Sequence, residues 1–297
     1  MKIVKLKGGL GNQMFQYTFG ILLNELTSES VALDYSSFQA VKGDAIRVPR
    51  LEKFHIGLVQ ATNEQIAKIC WLNHNSNHGN KPTLSYKLSL AFESTFNRRY
   101  FREPNRAYIQ PETIMKKAYF DGYWQSWRYV DKVKDRIRKD FVPNYQLSEK
   151  TRRTQQVLAN ENAVFVGVRR GDFLEEADHY GSFGSDYYRR AMSLIKDRVK
   201  APVFYVFSND IPWCKQNIDW KGFDVQFREP EMQTDDFEEL MLMASCKHAI
   251  IVNSTYNWWG AYLISNPEKI ICCPNKWFFD NKPIDIIPDE WERIATT

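Results

Sequence analysis

Apolar and polar positions change period along the chain, and each change predicts an element. Ile3–Leu6 is a short apolar run that reads as a strand, and the turn Gly8-Gly9-Leu10-Gly11 follows it. From Asn12 to about Leu26 the apolar positions Met14, Phe15, Phe19, Ile21, Leu22 and Leu23 fit a helix, and Val31–Leu33 reads as the next strand. The stretch from Asp34 to Arg106 shows no clean period. Order returns with a strand at Ala118–Tyr123 and a helix over Gln125–Asp140. Phe141–Lys150, with its proline and polar residues, reads as a linker. Beyond it, strands at Ala163–Val168, Val203–Phe207, Val225–Phe227, Ala249–Val252 and Ile270–Cys273 alternate with helices at Asp186–Val199, Pro212–Ile218, Asp236–Cys246 and Thr255–Ser265. Continuous apolar strands between helices imply a parallel sheet covered on both faces. The chain therefore reads as α/β, with two Rossmann-like domains facing each other across a central cleft, residues 1–145 and 146–297.

The 297 residues suit two domains, and 43% hydrophobic content excludes wholesale disorder. Forty basic against 36 acidic residues leave +4, too little and too evenly spread to call for nucleic acid. No apolar run reaches the ~18 residues that span a bilayer, and Met1–Gly11 lacks the pattern of a signal peptide. Five cysteines without a CxxC pair read as free thiols in a reducing compartment. The expected location is the cytoplasm, with any membrane attachment peripheral to the inner membrane. His74 and His78 lie in an Asn/Gly-rich loop with no other ligand type nearby, so no metal site is expected.

Ligands of open parallel sheets sit beyond the carboxyl ends of the strands, so the residues following each strand carry the candidate chemistry. The sharpest set is Arg169-Arg170-Gly171-Asp172. One arginine can present its planar, permanently charged fork to a phosphate while the other pairs with Asp172. The competing reading is a surface ion pair, which contributes under ~1 kcal/mol. Gly9 and Gly11 let backbone approach a phosphate at a helix start, with Asn12 alongside, or they merely form a tight turn. Met14 stands where the dinucleotide fingerprint has its third glycine, which disfavours NAD. After the Ala249–Val252 strand, Asn253, Ser254 and Thr255 can cap a helix or hold a second phosphate. Glu239 is a carboxylate of the kind that accepts from the two guanine N–H groups, or it belongs to a solvated face. Tyr123, Trp124 and Gln125 combine aromatic faces with an amide, which suits a sugar, although core packing explains each ring as well. His179 and Asp178 lie just downstream of Asp172. No Asp-x-Asp exists, so arginine and helix dipoles would have to neutralise a diphosphate.

These segments resemble a known family. GGLGNQMFQY at Gly8–Tyr17, GYWQS at Gly122–Ser126, VRRGD at Val168–Asp172, FSND at Phe207–Asp210 and Leu242–Leu263 are together similar to the α-1,2-fucosyltransferases. The resemblance implies a GT-B-like fold, a metal-independent enzyme without a cofactor, and inverting transfer of L-fucose from GDP-L-fucose to a galactose 2-hydroxyl of a glycan acceptor. It assigns the donor to the C-terminal half and the acceptor to the N-terminal half. It implies that Arg169 binds the β-phosphate and is catalytic together with Asp172, with Gly9, Gly11, Asn12, Arg170, Asp210, Asn253, Ser254 and Thr255 around the donor and Glu239 near guanine. Tyr123, Trp124, Gln125 and His179 fall to the acceptor. Two departures stand out: the family's HxRRxD histidine is Gly167 here, and Glu239 stands where related enzymes tend to have an aspartate. Two other classes compete, a nucleotide- or sugar-binding homologue that has lost catalysis and an NAD(P)-dependent oxidoreductase. The general base is left unassigned.

Overall fold

The computed structural model describes residues 1–38, 48–71, 84–169, 183–229, 232–279 and 282–296. The chain divides into two compact units, one of residues 1–144 with 283–286 and one of residues 145–282 with 287–297.

In the first unit β1 (Lys2–Lys5), β2 (Val31–Asp34), β3 (Val59–Gln60), β4 (Tyr100–Arg102) and β5 (Tyr119–Asp121) form one sheet in the order β3-β2-β1-β5-β4, every pairing parallel. The helix after β1, α1 (Leu10–Thr27), buries a continuous run from Gln13 to Leu23. It is broader in its buried face than an amphipathic surface helix, which fits its position against the sheet. Five further helices follow: α2 (Asn63–Ala67), α3 (Leu84–Phe96), α4 (Pro111–Ile114), α5 (Trp127–Lys132) and α6 (Lys134–Asp140). The single helix expected over Gln125–Asp140 is thus two, broken at Val133, whose φ of −127° is not helical.

The second unit opens with α7 (Glu149–Asn160) and β6 (Asn162–Val168). Then come α8 (Ser185–Arg198), β7 (Pro202–Ser208), α9 (Ile211–Asn217), β8 (Asp224–Phe227), α10 (Asp236–Ser245), β9 (His248–Ile250), α11 (Thr255–Leu263), β10 (Ile271–Pro274) and β11 (Glu292–Ile294). The sheet order is β11-β10-β9-β6-β7-β8, again parallel throughout. Counted from the unit's own first strand, this is the 3-2-1-4-5-6 order of the doubly wound nucleotide-binding fold. All of Ala163–Val168 is buried, as a central strand covered on both faces requires. Val164, Val166, Phe204 and Val206 pack with Tyr187, Tyr188, Met192 and Ile195 of α8. The five cysteines are free thiols and all are buried.

In the second sheet the order reverses once, between the neighbouring central strands β6 and β9, which is where ligands of open parallel sheets bind, beyond the carboxyl ends.

Candidate functional site

Arg169 directly follows β6, and Ser254 follows β9, so the two come from the strands that flank the reversal of the second sheet. The register Val164↔His248 to Val166↔Ile250 brings these strand ends level. The Arg169 guanidinium donates through Nη1 to Ser254 Oγ at 3.2 Å. Ser254 is the N-cap of α11, buried, and its Oγ also accepts the Asn257 N–H. A half-buried arginine therefore stands at a helix N-terminus, whose positive dipole end favours an anion. Asn253, buried beside it, is oriented by donating from Nδ2 to the Trp277 carbonyl at 2.8 Å. Thr255 begins the helix. Trp258 and Trp259 are fully buried and stack within the helix's own packing, Trp258 on Tyr262 at 5.0 Å. Arg170, Asp172 and His179 lie outside the described residues.

The two acids expected near the nucleotide already have other partners. Glu239 receives Nη2 and Nε of Arg228 at 2.8 and 3.2 Å, and the Thr234 N–H at 2.8 Å. Glu239 thus stands here as half of an ion pair whose arginine is buried. Asp210 caps α9, accepting the Trp213 N–H at 3.1 Å. Among the other acids of this region, Asp235 caps α10, and Glu238 accepts the Ser148 N–H and hydroxyl at 2.8 and 2.5 Å.

Gly167, on β6, is explained by its neighbour. A Cβ at this position would lie 2.7 Å from Asn257 Cγ, so the α11 carboxamide fills the space that a side chain on the strand would take. Asn257 Oδ1 is buried with no hydrogen-bond partner among the described residues.

In the first unit the polar residues gather at the ends of β1, β4 and β5. Gly8, rather than Gly9 or Gly11, holds the strained conformation: its φ is +80°, and a Cβ there would lie 2.5 Å from Asn12 Nδ2. Gly9 precedes α1 in extended conformation and Gly11 lies within the helix. Asn12 Oδ1 accepts from Gln125 Nε2 at 2.8 Å, so two sequence-predicted residues 113 apart meet. Lys7 donates to Asp121 at 2.6 Å, and its Nζ lies 4.7 Å from the centre of the Tyr123 ring, which is exposed. Burial alone would raise the Asp121 carboxyl, but Lys7 and Lys5 outweigh it and hold that group far below the usual carboxylate range.

Trp124 is a correction. Expected to face a sugar, its ring is fully buried and stacked on Phe19 at 3.9 Å and 4°. Its φ of +56° turns the side chain inward while Tyr123 remains outside. Of the three residues, Tyr123 is the exposed aromatic, and Gln125 is mostly buried against Asn12.

Glu103 was not singled out in the sequence. It accepts the Tyr123 N–H at 2.7 Å and the Trp124 N–H at 3.2 Å, clamping the turn that carries both. Burial pushes its carboxyl up to about 6, against the opposing pull of those two N–H groups and of Lys7. Its position in the unreadable stretch before Arg106 gave no periodic signal; a lone acid following a three-residue strand was the available clue.

Comparison with known proteins bears on this arrangement. The family described as Glycosyl transferase family 11 matches residues 74–295. An alpha-1,2-colitosyltransferase of Escherichia coli is 31% identical, covering 98% of both chains, and the O-antigen biosynthesis glycosyltransferase WbnK of the same species is 29% identical over 97% and 99%. The human galactoside alpha-(1,2)-fucosyltransferase 1 is 34% identical over 48% of this chain and 42% of its own. Among solved structures, the Bradyrhizobium fucosyltransferase NodZ superposes with a TM-score of 0.51 at 12% identity, covering 91% and 94%, which shows a shared GT-B-type fold. The chain is a glycosyltransferase and belongs to glycosyl transferase family 11.

Proposed function

We propose that the protein transfers L-fucose from GDP-L-fucose to the 2-hydroxyl of a galactose-containing glycan, in an α-1,2 linkage and with inversion, using no metal. The observation that carries this reading is the hydrogen bond from Arg169 to Ser254 at the start of α11, an anion-binding pair at the strand-order reversal of a doubly wound unit. As the acceptor oxygen bonds to C1 of the fucosyl group, the C1–oxygen bond to the diphosphate breaks and its electron pair stays on the β-phosphate. Arg169 and the N–H groups of the α11 N-terminus stabilise that growing charge, which is where a metal-free site needs its positive potential. The acceptor hydroxyl gives up its proton to a group left unassigned.

Supporting the linkage are the names of the two relatives that print it, one a colitosyltransferase and one a fucosyltransferase. Colitose is L-fucose without its 3-hydroxyl, so both donors present the same 6-deoxy-L-sugar face. The two are separated by comparing kcat/KM for GDP-fucose and GDP-colitose, and this reading expects GDP-fucose to be preferred. With a chelator present, GDP should bind in preference to ADP and NAD. Arg169→Ala should lose that binding and about two to three orders of transfer rate, on the ~3–4 kcal/mol carried by one transition-state donor. GDP binding without turnover on any galactoside would favour a binding homologue that has lost catalysis. A well-folded Arg169→Ala with wild-type rate would overturn the assignment.

A further inference from the structure

Helix α3 places two opposite chemistries on its two sides. Leu90, Glu93 and Asn97 face inward, a spacing of three and four that repeats on one side of a helix. Glu93 and Asn97 are buried yet satisfied: Glu93 Oε1 accepts the Trp71 N–H at 2.9 Å and an Asn97 amide N–H at 2.6 Å, and Asn97 Nδ2 also donates to the Ile69 carbonyl at 2.7 Å. This clamp fixes the helix's rotation, since turning it would strip the hydrogen bonds to Trp71 and Ile69.

With the rotation fixed, the outward side is apolar. Leu84, Leu88, Phe92 and Phe96 are 73%, 63%, 47% and 60% exposed, and Trp71 beside them is 57% exposed. Residues four apart drift by only ~40° per step, so these four form one continuous stripe along a helix of ~20 Å. Trp71 adjoins it, its ring 6.5 Å from Phe92, which in turn lies 4.9 Å from Phe96. Single exposed apolar residues are ordinary, but an aligned set of five is not.

The exposed charges on α3 and just past its end have one sign. From Leu84 to Arg102 the sequence holds Lys87, Arg98, Arg99 and Arg102 against one acid, Glu93, and that acid is buried, while Lys68 before Trp71 is paired with exposed Glu64 at 2.7 Å. Lys87, Arg98 and Arg99 are exposed on α3 or just past its end. A stripe of Leu and Phe beside a Trp, edged by Lys and Arg with no exposed acid on the helix itself, is the pattern of a helix lying in a bilayer interface. We propose that this face of α3 docks on an anionic phospholipid surface, its apolar stripe entering the headgroup boundary and its cations meeting the lipid phosphates. The docking is peripheral, because among the described residues no helix is long and apolar enough to cross a membrane.

The test is partition of the full-length protein onto phosphatidylcholine vesicles with and without phosphatidylglycerol, at low and high salt. Binding should appear with the anionic lipid and weaken with salt. Leu88→Asp/Phe92→Asp should reduce the partition coefficient at least ~10-fold, and Lys87→Gln/Arg98→Gln should remove most of its dependence on anionic lipid. These positions are exposed, so the variants should keep the wild-type Tm and GDP binding. A protein that ignores anionic vesicles, or whose binding survives both double substitutions, overturns the proposal. So does a solution dimer that Leu88→Asp/Phe92→Asp dissociates, which would make a second copy the stripe's occupant.

Discussion

Gly167 and Asn257 account for each other. The strand needs a residue that leaves room, and the helix supplies a carboxamide that fills the room. Restoring a histidine at the position should therefore not improve this protein. Gly167→His pushes a side chain into an occupied space, and overpacking of this kind typically destabilises by about 1–3 kcal/mol. Asn257→Ala removes the obstruction together with a buried acceptor that has no partner among the described residues, so alone it should change stability little. Thermal unfolding of both single variants and the double variant checks this: Gly167→His should lower Tm, and Asn257→Ala should recover part of the loss in combination. A Gly167→His variant as stable as wild type would show that the carboxamide moves aside freely. The Glu239 pair argues similarly. From sequence a lone carboxylate is an acceptor for a base; in the fold its oxygens face Arg228, a residue that carried no motif and entered only through packing.

Elements were legible where the sequence had a period to show. Strands β6 and β7 and helices α8 and α10 lie within about a residue of their expected ends, because continuous apolar strands and amphipathic helices declare themselves. Helix α7, which starts at the end of the expected linker and runs past it, was left unread: of EKTRRTQQVLAN only Thr151 and Leu158 are buried, so there was no apolar face to find, and the Ser148 cap was the remaining signal. Strand β3 is two exposed residues, below any pattern. The turn Gly122–Gln125 was recognised as important but misread in orientation, since a positive φ at Trp124 is set by the Glu103 clamp and not by the residue itself. That clamp has a pH signature. Burial raises the Glu103 carboxyl from 4.5 to about 6, so between those values the folded protein holds a proton that the unfolded chain has released. Its contribution to stability is complete below about 4.5 and is lost as pH rises through about 6. The stability difference between wild type and Glu103→Gln should therefore shift against wild type across this window and flatten above it. The same carboxyl should titrate near 6 by carbon NMR, and a midpoint at or below 4.5 would remove burial as the cause.

At the scale of the whole chain, a single boundary near residue 145 was the expectation, whereas each compact unit takes two segments of the chain. Residues 283–286 belong to the first unit and 287–297 to the second. No composition shift announces this, since a four-residue return carries no period. Its contacts are specific. Asp285 accepts the Trp127 N–H through its carbonyl at 2.9 Å and the Tyr108 N–H through its carboxylate at 2.8 Å, and Ile284 bridges to Arg106. Just beyond, β11 closes the edge of the second sheet, pairing Cys272–Pro274 with Glu292–Ile294. A chain ending at Lys282 should consequently weaken both units, although the cut falls in the last twentieth of the sequence. The first would lose the two Asp285 hydrogen bonds, about 1 kcal/mol each, together with the Arg106 bridge and the Arg128 ion pair, and the second an edge strand whose loss bares β10. Calorimetry of the shortened chain should show every unfolding transition moved down. Asp285→Ala leaves β11 in place and removes only the carboxylate contact to Tyr108 and the ion pair with Arg128, so it should lower only the stability of the first unit. Should the cut at Lys282 leave one transition where it stood, the terminal residues support a single unit and the return of the chain is incidental to the other.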